Sequence, residues 1–336
     1  MHQFRNDYCE ICHKSVLDAL SKALNEQNVG YGLDYHSLNA NKMIKELFNC
    51  PKADVHFLVG GTQTNMTMIS YILKDYEAVI ACKSGHINVH ETGSIEGTGH
   101  KVYPVEGKDG KIYPEDIKNV LAYHCDEHMV KPRLVYISNS TETGTIYKKY
   151  ELVNLYNFCK ENDLYLFIDG ARLASSLTSK ENDLSLEDIA SNCDCFYLGG
   201  TKNGLMFGEA LVIVNESLQK DFRYQIKNKG AMLAKGFISG IQFEAILKNN
   251  LYFEIARHAN EMAYLLADKL ESLGLLIDKV YTNQVFATVD NKLAQIIIDN
   301  FGCELWRDLG TKKVVRFVTS FNTKEEDIEE VYNFLK

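Results

Sequence analysis

The chain has 336 residues, of which 46% are hydrophobic and 24% are charged, and its formal net charge is −9. This composition is typical of a globular protein of one or two domains, and the negative charge argues against a nucleic-acid partner. The sequence has neither an apolar run of about eighteen residues, which a membrane span needs, nor the apolar segment of a signal peptide. We therefore expect a cytoplasmic protein that does not associate with membranes.

The nine cysteines are scattered and odd in number, which indicates reduced thiols. Cys9, Cys12 and His13 have the spacing of a c-type haem attachment motif, but covalent haem attachment requires export. A zinc site would need a second ligand pair, and Cys193 and Cys195 have the wrong spacing for one. We expect no metal, and we assign the N-terminal cysteines to packing.

The first part of the chain predicts two amphipathic helices, over residues 14–26 and 37–48, with a loop between them. Short apolar runs then alternate with amphipathic stretches. The predicted strands cover residues 55–59, 78–82, 101–105, 134–138, 164–168, 195–198 and 209–214, and the helices between them cover residues 63–73, 114–124 and 151–161. This alternation predicts an α/β fold with a mostly parallel sheet covered by helices.

The pattern changes beyond residue 250. A long helix over residues 253–273 is followed by predicted strands at 285–289, near 305 and at 314–318, with helices at 293–301 and from 324. We predict a large domain over residues 1–250 and a small C-terminal α/β domain over residues 251–336.

Lys202 lies at the end of a predicted buried strand, in a glycine-rich loop with Thr201 directly before it. A lysine amine that is partly desolvated loses its proton more easily and can form a Schiff base. For this loop alone, a surface lysine in a glycine-rich turn is the commoner explanation.

Other predicted strands also end in polar residues, where open α/β sheets bind their ligands. Gly61 and Thr62 open a helix whose free amides could hold a phosphate. His86 could stack on a flat ring, transfer protons, or only hydrogen-bond within its own loop. Asp169 follows a buried apolar run and needs a cation or a strong donor. Arg172 or a protonated pyridine nitrogen could meet that need.

A phosphate site, a ring-stacking histidine, an aspartate and a lysine in this chain order point together to pyridoxal phosphate. The sequence resembles the L-threonine aldolases, of the β-eliminating lyase group of fold type I pyridoxal-phosphate enzymes. The Asp-Gly-Ala-Arg motif at residues 169–172 is the most specific feature of this resemblance. Further matches extend over essentially the whole chain, at residues 5–7, 31–34, 61–63, His86, Glu91, 201–204 and 316–318.

The resemblance implies a role for each matching residue. Lys202 would hold the cofactor through a Schiff base, His86 would stack on its ring, and Asp169 would pair with the pyridine nitrogen. The remaining cofactor contacts would come from Gly61, Thr62, Thr201 and Arg172.

The substrate contacts are also implied by the resemblance. Arg172 and Arg316 would bind the substrate carboxylate, a task that suits the bidentate fork of arginine. Asn6 would contact the substrate, and Tyr31 would reach the site of a neighbouring subunit, so we expect a homodimer or homotetramer. Where the well-known aldolases carry a histidine after the fourth strand, this sequence has Glu142. We predict that it faces the substrate hydroxyl as the base; the alternative is that it only pairs with a neighbouring cation.

The implied reaction is the cleavage of L-threonine, L-allo-threonine or a related β-hydroxy-α-amino acid to glycine and an aldehyde. One alternative keeps the cofactor and changes the reaction, to that of an aminotransferase or another β-eliminating lyase. Another is a regulatory protein of this fold that binds pyridoxal phosphate without catalysis.

Overall fold

The computed structural model describes residues 2–336. Its larger sheet has seven strands in the order β1-β7-β6-β5-β4-β2-β3. These strands are β1 (Asp54–Leu58), β2 (Glu77–Cys82), β3 (Lys101–Val105), β4 (Lys131–Ser138), β5 (Tyr165–Asp169), β6 (Cys195–Gly199) and β7 (Glu209–Ile213). Neighbouring strands are parallel except that β7 runs antiparallel to both β1 and β6. The mostly parallel α/β sheet predicted from the sequence is therefore confirmed.

Thirteen α-helices are found within residues 2–336: α1 (Lys14–Lys22), α2 (Tyr35–Leu47), α3 (Gly61–Ile72), α4 (His86–Val89), α5 (Pro114–Tyr123), α6 (Lys149–Glu161), α7 (Leu173–Leu177), α8 (Leu186–Ser191), α9 (Phe222–Asn228), α10 (Phe237–Leu247), α11 (Leu251–Ser272), α12 (Asn291–Phe301) and α13 (Glu325–Leu335). In this described part of the chain, none of the helices is both long enough and apolar enough to cross a membrane. The short helices α4, α7, α8 and α9 and the longer α10 were not predicted from the sequence.

The large sheet is buried on both faces, so its central strands are apolar along most of their length. Every residue of β2, β6 and β7 is buried. One core, which includes residues of α2, α6 and α8, packs against one face, and a second, with residues of α3 and α9, packs against the other. Because both faces of the sheet are covered by apolar cores, the polar side chains of the site are found at the carboxyl ends of the parallel strands.

The C-terminal part of the chain forms a second, antiparallel sheet in the order β10-β11-β9-β8. Its strands are β8 (Leu276–Ile277), β9 (Gln284–Asp290), β10 (Glu304–Asp308) and β11 (Lys312–Val318). A third core, to which α11, α12 and α13 contribute, packs against this sheet.

The N-terminal segment joins this third core. Phe4 is fully buried in it, its amide donates to the Phe301 carbonyl at 2.8 Å, and its carbonyl accepts from the Val318 amide at 2.8 Å. The segment therefore runs along the second sheet before it reaches the strand ends of the first. The division into domains at residue 250 stays a prediction.

Candidate active site

A cavity of about 250 Å³ opens at the carboxyl ends of the parallel strands. Its walls come from residues at or near the carboxyl ends of β1, β2, β5 and β6, from the first residue of β7, and from one residue of the N-terminal segment. They are Tyr8, Val59, Gly60, Gly61, Thr62, His86, Asp169, Ala171, Tyr197, Thr201, Lys202 and Glu209. Six residues that the sequence predicts for a cofactor site thus line one cavity: Gly61, Thr62, His86, Asp169, Thr201 and Lys202.

Lys202 reaches this cavity because glycines let its loop lie against the turn after β5. A Cβ atom at Gly199 would lie 2.2 Å from the Ala171 carbonyl oxygen, and one at Gly200 would lie 2.5 Å from that of Gly208. The Thr201 hydroxyl accepts from the Gly208 amide at 3.0 Å and closes the loop. Burial, with the positive charge of Arg172, lowers the pKa of the Lys202 ammonium, so the neutral amine needed for a Schiff base is more accessible.

Asp169, the last residue of β5, presents a buried carboxylate to the cavity. One oxygen accepts from the Ala171 amide at 3.0 Å, and the other accepts from Asn65 Nδ2 at 3.2 Å and from the Tyr136 hydroxyl. Burial alone would raise the pKa of Asp169, but the charge of His86 and the hydroxyl donors outweigh it, so this pKa lies below its usual value. An ionised carboxylate at this position suits a protonated pyridine nitrogen.

His86 begins the short helix α4 and is fixed from two sides. Its Nδ1 is 2.7 Å from Glu91 Oε1, which also accepts from Asn65 Nδ2 at 2.8 Å. Its backbone amide donates to Glu142 Oε1 at 2.8 Å, and that same oxygen accepts from the Ser138 hydroxyl at 2.7 Å. His86 is therefore hydrogen-bonded within its own loop and also lines the cavity.

Gly61 and Thr62 form the first turn of α3, and no side chain caps this helix. The N-terminal amides of a twelve-residue helix thus stand beside the cavity, and helix N-termini of this kind bind phosphate. The cavity consequently has an anion-binding end at α3, a carboxylate at β5 and an amine-bearing loop after β6. These residues fit pyridoxal phosphate.

Arg172 does not contact Asp169, as one of our alternatives proposed; it pairs with Asp7 of the N-terminal segment. Arg172 Nε donates to Asp7 Oδ2 at 2.7 Å and Nη2 to Oδ1 at 3.1 Å. Asn283, which precedes β9, donates to the same carboxylate at 2.9 Å. Asp7 therefore connects the turn after β5 to the second sheet.

Arg316, on β11, brings a second guanidinium towards the first. Its Nη1 donates to Gln284 Oε1 at 3.1 Å, it pairs with Glu304, and it stacks on Trp306 at 4.8 Å. Burial and then the positive charge of Arg172 lower the pKa of Arg316, so the two cations are electrostatically coupled. Two arginines in this relation would hold an anion such as a carboxylate.

The other predicted substrate contacts are more distant from the cavity. Asn6 lies beside Arg316 in a neighbouring depression, where its side-chain oxygen accepts from the Tyr8 amide at 3.0 Å. Tyr31 lies in a different cavity of the same chain, and its ring faces Lys227 at 5.2 Å. Glu142 is buried under α4, and burial raises its pKa.

Sequence reasoning missed several residues of this site. They are Asn65, Tyr136, Tyr197 and Glu209, which stand inside predicted helices and strands, and Asp7 and Tyr8, which lie in the N-terminal segment. The signal for Asp7 was its position in the matching segment 5–7. Nothing in a single sequence distinguishes the others from core residues.

The fold and the cavity define the class of this protein: a pyridoxal-phosphate enzyme of fold type I. The chain belongs to the β-eliminating lyase family, which it matches over residues 3–292. It is 30% identical to the low specificity L-threonine aldolase of Pseudomonas aeruginosa, over 98% of this chain and 95% of that protein. The resemblance stated from the sequence motifs is therefore confirmed.

Solved structures agree with this assignment. The threonine aldolase of Leishmania major superposes with a TM-score of 0.97 at 45% identity, covering 100% of this chain and 98% of that one. An aspartate aminotransferase of Thermus thermophilus has a TM-score of 0.72 at 17% identity, covering 97% of this chain and 88% of that one. The second likeness concerns the fold alone.

Proposed function

We propose that this protein is a pyridoxal-phosphate-dependent aldolase that cleaves L-threonine, L-allo-threonine and related β-hydroxy-α-amino acids to glycine and an aldehyde. The observation that carries the proposal is the meeting of Lys202 and Asp169 in one cavity, with Arg172 and Arg316 nearby. Its similarity to threonine aldolases over nearly its whole length supports the same reaction. The aminotransferase alternative rests only on fold.

When bound, pyridoxal phosphate supplies an electron sink for the pair of electrons released when the Cα–Cβ bond breaks. Lys202 would hold the cofactor covalently and exchange with the substrate amine, helped by its lowered pKa. Asp169 would keep the ring nitrogen protonated, since its carboxylate is ionised and fixed by three donors. His86 would cover the ring, while Gly61, Thr62 and Thr201 would hold the phosphate end and the lysine loop.

Arg172 and Arg316 would orient the substrate through its carboxylate. Fixing the carboxylate leaves the Cα–Cβ bond free to take the direction in which it is most easily broken. Asp7 would hold the Arg172 guanidinium in place through its two hydrogen bonds, and Asn6 would complete the carboxylate site beside Arg316.

The sequence predicts Glu142 as the base. Its contacts suit a positioning residue, because one oxygen already accepts from both Ser138 and the His86 amide. Its role on the substrate hydroxyl stays a prediction, to be tested with Glu142→Gln.

A labelling experiment tests the proposed function directly. Borohydride reduction of the holoenzyme should fix the cofactor on the peptide that contains Lys202, and the purified protein should release glycine from threonine. Lys202→Ala should lose both the labelling and the release of glycine. Lys83→Ala should keep both, because Lys83 is an exposed lysine paired with Glu106 at another strand end. Labelling at another lysine, or pyruvate from serine without glycine from threonine, would refute the proposal.

We also propose that the protein is a cytoplasmic homo-oligomer, a homodimer or homotetramer. All nine cysteines are free thiols in the described residues, which supports a reducing compartment. Tyr31 lines a different cavity from that of Lys202 in its own chain, which supports a role in a neighbouring site.

A further inference from the structure

His90 lies one helical turn beyond His86, at the end of α4. Its amide donates to the His86 carbonyl at 2.9 Å, and the two rings are 5.5 Å apart. On its other side the His90 ring is 6.3 Å from that of Trp306, on which Arg316 stacks. His90 thus lies close both to His86, which lines the cavity, and to the tryptophan on which the arginine proposed to bind the substrate carboxylate stacks.

The imidazole of His90 is free to accept a proton. Its ring contacts are aromatic, and its nitrogens hydrogen-bond to no group within residues 2–336. In each of the two other candidates one atom is already engaged, since His86 Nδ1 bonds to Glu91 and Glu142 Oε1 accepts two donors. His90 is also exposed, so a proton that it accepts can pass on to water.

The charges around His90 favour its neutral form. Burial of part of the ring lowers its pKa from the usual 6.5, and the positive charges of His86, Arg316 and Lys202 lower it further, against the opposing charge of Glu304. At neutral pH the ring is therefore unprotonated, as a general base must be. The same positive surroundings would favour the negative charge that develops on a substrate oxygen.

Building on the aldolase function proposed above, we propose that His90 is the catalytic base that takes the proton of the substrate β-hydroxyl. As the O–H bond breaks, its proton moves to an imidazole nitrogen and its electron pair forms the second bond of the aldehyde C=O. The Cα–Cβ bond breaks, and its electron pair stays on the side that becomes glycine. A proton later returns to that carbon, so the cleavage is balanced without an oxidant or a reductant.

The test compares His90→Gln with the parent holoenzyme, with His128→Gln as a matched control, because His128 is an exposed histidine of a distant loop. Glutamine keeps a polar side chain of similar size but cannot accept the proton. The expected loss in kcat/KM for threonine is on the order of a hundredfold or more. Glycine affinity, measured by calorimetry, and exchange of the glycine α-proton with deuterated water should stay within threefold of the parent, roughly the margin of a non-essential contact.

Two further readouts separate a base from a structural residue. In nuclear magnetic resonance spectra, the imidazole signal missing from His90→Gln should titrate in the parent below the usual pKa of 6.5. When kcat/KM for threonine is plotted against pH, the fall on the acidic side should follow this titration. The residual activity of His90→Gln should not show that fall. Glu142→Gln should retain it.

Three results would overturn the assignment. They are threonine cleavage by His90→Gln near the parent rate, loss of glycine binding in this variant, and a pKa of His90 above 6.5. A parent holoenzyme that forms no glycine from threonine would instead refute the proposed function, whatever His90→Gln does.

Discussion

Glu209 places a second buried carboxylate beside Lys202, in an environment opposite to that of Asp169. Its Oε2 accepts from the Gly200 amide at 2.9 Å, and burial raises its pKa to about 8 although its donors and the charge of Lys202 oppose this. The pKa of Asp169, by contrast, is lowered. When their surroundings push the pKa values of two neighbouring groups apart, the two groups can have different tasks. Asp169 is then the ionised group that suits a protonated ring nitrogen. Glu209 is a largely neutral group that supports the lysine loop.

This difference gives a prediction for the cofactor-free protein. Because the pKa of Glu209 is raised in the folded state from 4.5 to about 8, the folded protein binds more protons than the unfolded chain in that range, and its stability falls as pH rises. Glu209→Gln removes this dependence and keeps an acceptor for the Gly200 amide. We expect the variant to gain on the order of 4 kcal/mol over the parent at pH 8 and little at pH 4.5, measured by urea unfolding.

The exposed Glu127 provides the control, since Glu127→Gln should change stability little at either pH. If Glu209→Gln were less stable than the parent at pH 8, Glu209 would be an ionised partner of Lys202, and its pKa would not be raised by burial.

Single residues of the site could be predicted from the sequence where they follow a strand and carry unusual chemistry. Asp169 and Lys202 are of this kind, because a charged group directly after a buried apolar run demands an explanation. Asn65 and Tyr136 could not be predicted as site residues. Each lies inside a helix or strand, where the sequence does not distinguish it from a residue that only packs in the core. Only the folded chain brings them to Asp169.

At the scale of elements, α2 and α10 lie in backbone contact. A Cβ atom at Gly240 would be 2.5 Å from the Ser37 amide nitrogen. At the start of α2, His36 bonds at 2.6 Å to Glu244 of α10 and at 2.7 Å to Glu26 of the loop after α1. This histidine therefore ties the loop that carries Tyr31 to the helix pair.

The pH dependence of this contact can be predicted. Burial lowers the pKa of His36, but the hydrogen bonds and charges of Glu244 and Glu26 outweigh burial and raise it above 6.5. The contribution of the His36 contacts to stability is thus fully present below pH 6.5 and is lost as the pH rises through the raised pKa of His36. We expect the difference in melting temperature between the parent and His36→Gln to be a few degrees at pH 6 and to shrink by pH 9. His128→Gln should show no such trend, and a difference that grew with pH would contradict the prediction.

The longest element missed from the sequence is α10. Ser239, Gln242 and Glu244 are buried along with its apolar residues, so the helix has no polar face and lacks the periodicity that identifies a surface helix. The alternating strands and longer helices before residue 170 were predicted because each strand is an apolar run between amphipathic helices. Strand β7 was predicted as a strand, but its antiparallel direction is set by tertiary packing.

At the scale of the whole molecule, exposed apolar side chains are concentrated near the N-terminus. Within residues 2–336, half of the large hydrophobic residues that are exposed lie between residues 8 and 38. They are Tyr8, Ile11, Leu17, Leu24, Val29, Tyr31, Leu33, Tyr35 and Leu38. A globular protein rarely exposes so much apolar surface in one segment unless another surface covers it. A second copy of the chain would cover it and bring Tyr31 to a neighbouring Lys202.

The proposed role of Tyr31 in a neighbouring site predicts the result of a subunit-mixing experiment. Tyr35→Ala, which truncates another exposed tyrosine of the same segment, should be active alone and is the matched control. Tyr31→Ala and Lys202→Ala should each be inactive as homo-oligomers. A fully active Tyr31→Ala protein, or sedimentation of a fully active monomer, would contradict the shared site before any mixing.

Co-expression of Tyr31→Ala and Lys202→Ala then distinguishes a shared site from one built within a single chain. If the site is shared, a hybrid dimer has one site in which both residues are intact, because the unchanged Lys202 of one subunit meets the unchanged Tyr31 of the other. Equal expression should restore about a quarter of the parent activity, since half of randomly paired dimers are hybrids with one working site of two. If Tyr31 acted within its own chain, each subunit of the hybrid would lack one of the two residues, and the mixture would stay inactive.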